Sequence, residues 1–106
     1  MTPLISRHCR PATGEPLAAA QVQSLLPQLP GWAVVDGALQ KAYAFSDYAR
    51  MMSFVNAVAW LAQREDHHPE LHVGWGRTTV RWRTHSVGGL SINDFICAAH
   101  VEALAP

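Results

Sequence analysis

Apolar positions along the chain change their period several times, and each change marks an element. From Leu17 to Leu26 the chain is rich in Ala, Leu and Gln, which predicts a helix with Pro16 in its first turn. Pro27 and the Pro30-Gly31 pair stop it. Trp32 to Val35 and Ala38 to Phe45 flank Asp36-Gly37, the strongest short hairpin signal in the chain. Ser46 is a natural N-cap for the longest helical pattern, Asp47 to Glu65. Pro69 blocks its continuation by pushing the preceding residue towards extended geometry. Leu71 to Trp75, a turn at Gly74-Trp75-Gly76, and Arg77 to Thr84 predict a second hairpin. In its last strand Thr78, Val80, Trp82 and Thr84 share one face. Arg77, Thr79, Arg81 and Arg83 share the other, which His85 continues where no bulge intervenes. After a turn at Gly88-Gly89, Ser91 opens a final helix to about Ala105, with Ser91-x-x-Asp94 in the form of a capping box.

The order is helix, two strands, helix, two strands, helix, an α+β arrangement of grouped hairpins with helices on one face. Five of the seven prolines lie at or before position 30, so residues 1–15 read as an irregular arm ahead of a single domain over 16–106. The long helix carries two apolar seams. Met51, Phe54, Val58 and Leu61 make one; Tyr48, Met52, Val55, Ala59 and Ala62 make the other. Covering one small sheet needs a single stripe of roughly 100°. Periodicity does not distinguish the two. The reading assigns the Met52–Val55 seam to the sheet and the Phe54–Leu61 seam to the same helix of a second subunit. Exposed strand edges offer another contact between copies.

Composition narrows the class. The 106 residues suffice for one domain. Eight Lys plus Arg balance eight Asp plus Glu, so the chain lacks the basic excess behind non-specific nucleic-acid binding. A hydrophobic content of 49% against 15% charged excludes disorder. Cys9 and Cys97, 88 positions apart with no CxxC pair, read as isolated thiols of a reducing compartment. Met1 to Glu15 holds no apolar run of signal-peptide length, and the longest apolar stretch, Ala57 to Ala62, cannot span a bilayer. The expectation is a soluble cytoplasmic domain.

Histidine is the unusual feature. His67, His68, His72 and His85 fall where a long helix and a strand end, places where side chains converge on a cleft. Imidazole is the side chain best suited to exchange protons near neutral pH. His8 and His100 read as bland surface or core residues. Pro69 stiffens the backbone after His67-His68 and holds the two rings in divergent directions. Metal binding is the rival: His68 and His72 have ligand spacing for a helix, with Glu65, Asp66 and Glu70 nearby. Pro69 argues against helix there, nothing matches HExxH, and the cysteines are too scattered for a structural zinc site. There is no phosphate-cradling glycine loop and no GxSxG. The four tryptophans read as core, and the arginine stripe as a solvated strand face or a positive field beside the histidines.

The run His67-His68-Pro69, five residues, Trp75, nine residues, His85, eight residues, Asp94 resembles the signature of the pterin-4a-carbinolamine dehydratases. Pro30-Gly31-Trp32 and Gly88-Gly89-Leu90 are also similar to that family, and the likeness spans roughly residues 15–104. The resemblance implies a four-stranded antiparallel sheet, three helices, a homodimer or homotetramer, and a site with neither metal nor cofactor, the reduced pterin being the substrate. It implies loss of water from 4a-hydroxytetrahydropterin to give quinonoid dihydropterin, which recycles the cofactor of an aromatic amino acid hydroxylase. Carried over by position, His67 and His85 would move the protons and His68 would hold the pterin. Asp66, Pro69, Thr84 and Ser86 would line the substrate, and Gln63, Trp32 and Asp94 would support the site. Gln63 departs from the family, which usually carries an ionisable group there; it keeps hydrogen bonding and loses charge. Glu65 lies about 200° around the helix and cannot simply replace it. Some members of the family serve instead as dimerisation partners of transcription factors or in assembly, so a non-catalytic interaction protein on the same scaffold is the alternative.

Overall fold

The computed structural model describes residues 2–105. Helix α1 (Ala19–Leu25) precedes strands β1 (Ala33–Val35) and β2 (Ala38–Ala44). Helix α2 (Tyr48–Glu65) leads to β3 (Glu70–Gly74), β4 (Arg77–Trp82) and helix α3 (Ile92–Leu104). The four strands form one antiparallel sheet in the order β1-β2-β4-β3, so the two hairpins meet at β2 and β4. The expected α+β fold is the observed one. In the β1–β2 turn Asp36 and Gly37 both have positive φ, 49° and 79°, as the Asp-Gly signal requires.

Several boundaries differ from the sequence reading, each for a local reason. Leu17 is held extended by its N–H bond to Leu90 O (2.8 Å), so α1 starts after Ala18, whose N–H bonds to Gln21 Oε1 (2.8 Å). Pro16 therefore lies outside the helix. Pro27 sits in a 3-10 turn, Leu26–Gln28, that ends it. The cap of α2 is Asp47 rather than Ser46: Asp47 Oδ1 accepts the Arg50 N–H at 2.7 Å. Strand β4 ends at Trp82, because Thr84 turns to pair with Gly89 in an isolated bridge. His85 opens a 3-10 turn, His85–Val87, and does not extend the arginine face. On that face Arg81 pairs with Gln40 and with Glu70, 3.3 Å away.

The two seams of α2 are the reverse of the expectation. Met51, Phe54, Val58 and Leu61 are 1%, 5%, 0% and 3% exposed and belong to the monomer's own core. In the other seam only Ala62 is buried; Met52 and Val55 are half-buried, and Tyr48 and Ala59 are exposed. Phe54 settles the choice, because its ring packs against both Tyr43 (4.8 Å) and Phe45 (5.2 Å). The core closes around Trp82, Phe95, Leu39, Val58, Val80 and Val101, with α2 and α3 lying on the face presented by β2 and β4. Glu102 ties α3 to β2: Lys41 Nζ donates to it at 2.7 Å and the Tyr43 hydroxyl donates to it as well. Burial, then Glu102, pushes the Tyr43 phenol well above its usual range.

The arm is irregular apart from one 3-10 turn, Leu4–Ser6, and it is docked at Leu4 and again between Arg7 and Ala12. Leu4 is buried against the core. The Arg10 N–H donates to Asn93 Oδ1 (3.2 Å), and Asn93 Nδ2 returns a bond to Arg10 O (2.6 Å).

Candidate active site

The site forms where the end of α2, the end of β4 and the start of α3 meet. Helix α2 stops because Asp66 turns left-handed (φ 52°), its N–H still bonded to the last helical carbonyls. That turn aims His67 back across the end of the sheet. The His67 ring stacks on Trp82 with centroids 5.5 Å apart and planes at 12°. Its Nε2 lies 2.6 Å from Asp94 Oδ1. An ionised carboxylate can only accept, so Nε2 carries the proton, and in the neutral ring Nδ1 is the free lone pair.

Asp94 is fully buried, and its second oxygen is also committed. Oδ2 accepts from Thr84 Oγ1 at 2.8 Å and from the Ser91 N–H at 2.9 Å. The Thr84 proton being given to Asp94, Ser91 Oγ donates to Thr84 Oγ1 (2.7 Å), and it accepts the Asn93 N–H (3.2 Å). The capping box read from Ser91 and Asp94 is therefore present, and one carboxylate both caps α3 and fixes the imidazole.

Beside His67 lies a cavity of about 340 Å³, lined among others by Asp66, His67, Thr84, Ser86, Asn93 and Arg10. Four of the residues assigned to the site, Asp66, His67, Thr84 and Ser86, thus converge, with Asp94 directly behind them. His68, Pro69 and His85 do not line the cavity; both histidines are exposed and make no side-chain hydrogen bond among the described residues. His85 stands in the chain between Thr84 and Ser86, which do line it. Gln63 is exposed on α2. Trp32 is in the core, edge-on to Tyr43 at 6.4 Å, and away from the cavity lining. His72 lies exposed on β3 and pairs with Glu70 (2.6 Å), so the suggested His68–His72 helical ligand pair does not exist. That pairing holds the Glu70 carboxyl below its usual range.

The sequence reading missed the arm's part. Cys9, Arg10, Pro11 and Ala12 form one wall of the cavity, and Ser86 Oγ donates to Ala12 O at 2.8 Å. Glu65, weighed in the sequence only as a metal ligand and as a substitute for Gln63, anchors the arm instead. That side chain is buried, and it accepts the Cys9 N–H (2.8 Å), a His8 ring N–H (2.8 Å) and Arg64 Nε (3.1 Å). Burial alone would raise its pKa, but the Cys9, His8 and Arg64 bonds outweigh burial and bring it down to about 2. His8 and His100, read as bland, stack at 5.7 Å beside Glu65, and the three offer ligand atoms within 4.8 Å of one another. Arg64 already supplies positive charge there, 3.1 Å from Glu65 and 3.4 Å from His100 Nδ1.

A small α+β fold thus sets an imidazole, oriented by a buried carboxylate, beside a cavity of small-molecule size, an arrangement that can exchange protons with a bound molecule. The chain belongs to the pterin 4 alpha carbinolamine dehydratase family, whose model matches residues 15–104. A relative from Stenotrophomonas maltophilia (strain K279a), named "Putative pterin-4-alpha-carbinolamine dehydratase", is 51% identical over 108 residues, covering 98% of this chain and 93% of its own. One of the same name from Xanthomonas campestris pv. campestris (strain 8004) is 50% identical, covering 98% and 92%. The crystal structure of a transcriptional coactivator/pterin dehydratase from Brucella melitensis superposes with a TM-score of 0.82 at 30% identity, over 87% of this chain and all of that one.

Proposed function

We propose that this chain removes water from 4a-hydroxytetrahydropterin, giving quinonoid dihydropterin and so recycling the cofactor of an aromatic amino acid hydroxylase. The observation that carries the reading is the His67–Asp94 pair beside the cavity, in a chain of this family. The chemistry asked of the protein is modest, because the pterin's own nitrogen lone pairs stabilise the cation left when hydroxide departs from C4a. The site needs a base for the N5 proton and an acid for the leaving hydroxyl. His67 Nδ1 serves as the base, its proton-bearing Nε2 anchored on Asp94. His85, flanked by the cavity-lining Thr84 and Ser86, delivers the proton to the hydroxyl, and Asp66, Thr84 and Ser86 hold the ring. Each such proton transfer contributes roughly 10²–10⁴-fold. Stopped-flow ultraviolet spectroscopy of chemically generated 4a-hydroxytetrahydropterin tests this directly. Wild-type protein accelerates its decay, and His67→Ala and His85→Ala each lower kcat by at least about tenfold while remaining folded. No acceleration by wild type, or full activity of the double variant, would overturn the reading.

A second reading has its own support. Trp75, Trp60 and Tyr48 are 76%, 66% and 60% exposed, and the Brucella structure is titled a coactivator as well as a dehydratase. Aromatic side chains of this size left in solvent suit contacts with other chains. On this reading the exposed side of α2 and the Trp75 turn hold a homodimer or homotetramer, or a partner protein, and the chain works in the cytoplasm. Among the described residues no helix is long and apolar enough to cross a membrane.

A further inference from the structure

The two cysteines are not isolated. The fold brings Cys9 Sγ and Cys97 Sγ to 3.4 Å, across 88 positions of sequence. Cys97 is fully buried in α3, while Cys9 is half-buried on the arm and borders the site cavity. A disulfide has an S–S bond of about 2.05 Å, so closing this pair moves the sulfurs together by about 1.4 Å. The arm around Cys9 is already positioned for this. The Cys9 N–H is bonded to Glu65, Arg10 is bonded in both directions to Asn93, and Ala12 O is held by Ser86.

We propose that Cys9 and Cys97 are a reversible oxidation site, taking small disulfides of the glutathione type as oxidant and stapling the arm to α3 beside the cavity. The Cys9 thiolate, reachable from the cavity, attacks one sulfur of the small disulfide and expels one small thiolate. Cys97 then loses its proton, attacks the Cys9 sulfur of the mixed disulfide and expels the second. Two protein S–H bonds and one small-molecule S–S bond become one protein S–S bond and two small thiols. The protein gives up two electrons and two protons, and the oxidant takes them. Cys97 is fully buried, and contact with Cys9 and burial push its thiol well above the usual range, which leaves Cys9 as the first nucleophile. In the closed form Arg10, Pro11 and Ala12 become a fixed wall of the cavity. In the reduced form hydrogen bonds and non-covalent packing hold them.

The test uses the full chain, oxidised glutathione and no pterin. After incubation, mass spectrometry of the intact protein shows a species lighter by two hydrogens, and non-reducing peptide mapping finds Cys9 joined to Cys97. Cys97→Ser stops at a stable glutathione adduct on Cys9, and Cys9→Ser stays unmodified while folded. Hydrogen exchange of the Cys9 and Arg10 amides slows at least about tenfold on oxidation and recovers with dithiothreitol. A wild type that retains both thiols, or that accumulates only the mixed disulfide, would refute the pairing. Modification of Cys97 in Cys9→Ser would refute the order of attack, and unchanged amide exchange would refute the staple. None of these readouts depends on dehydratase activity.

Discussion

At the scale of single residues the site rests on Asp94, which accepts from His67, Thr84 and the Ser91 backbone at once. Asp94→Ala leaves those donors without an acceptor in a buried place, at about 1–3 kcal/mol for each unsatisfied group. The expected loss is at least about 2 kcal/mol in chemical denaturation. Asp94→Asn separates the two roles. Its carbonyl oxygen can still accept from Thr84 and Ser91, but its amide then faces His67 Nε2 with a donor. The imidazole must reverse its tautomer, so Nδ1 carries the proton and is lost as the proposed base. Asp94→Asn is therefore expected to cost less stability than Asp94→Ala yet to lower kcat at least about tenfold. Imidazole nitrogen chemical shifts report the tautomer; an unchanged His67 pattern would count against this account. The cap half of Asp94 was legible, because Ser91-x-x-Asp94 is a local pattern. Its reach to His67, 27 positions away, was not, since no periodicity encodes a contact between the end of one helix and the start of another.

At the scale of elements, the hairpins and helices were legible wherever turn chemistry and period agreed, as at Asp36-Gly37 and Ser91. The seams of α2 were not, because both satisfy the same period and only the partners across the interface choose between them. Phe54 and Leu61 face the core, so Phe54→Glu with Leu61→Glu unfolds the monomer rather than merely dissociating an assembly. Leu61→Ala alone is expected to cost about 2–5 kcal/mol. Circular dichroism against denaturant distinguishes unfolding from dissociation, and a folded double-Glu variant would contradict the packing described. The end of α2 gives a prediction of the opposite sign. Asp66 holds φ at 52° at the helix terminus and also lines the cavity. Glycine adopts that backbone without the cost that a side chain incurs, so Asp66→Gly should stabilise by up to about 1 kcal/mol. If Asp66 contacts the pterin, the same variant loses turnover. A more stable and less active protein is the expected pair of results from thermal melts and the stopped-flow assay.

At the scale of the whole molecule, the arm was the least legible part, because proline-rich irregular chain carries no period from which docking could be read. Its anchors are single residues: Leu4 in the core, Asn93 on α3, and Glu65 at the end of α2. Glu65 makes the docking depend on pH. Its pKa falls from 4.5 in the free residue to about 2 in the fold, because the bonds from Cys9, His8 and Arg64 outweigh burial. A depressed carboxylate stabilises the folded form above its unfolded pKa and loses that contribution as pH falls through the folded one. The window is therefore about 4.5 down to about 2, with full effect above it. The shift corresponds to about 3 kcal/mol at most, and the share from the largely exposed His8 is screened by solvent. Glu65→Gln should accordingly be less stable than wild type by about 2–3 kcal/mol at neutral pH, with the gap closing as the medium is acidified through that window. Denaturant titrations of both proteins at several pH values measure the gap, and hydrogen exchange at the Cys9 amide follows the arm itself. A gap that stayed constant down to the acid limit would mean that Glu65 contributes through its shape and not its charge. A gap that widened on acidification would reverse the sign of the linkage and remove the carboxylate as the arm's anchor.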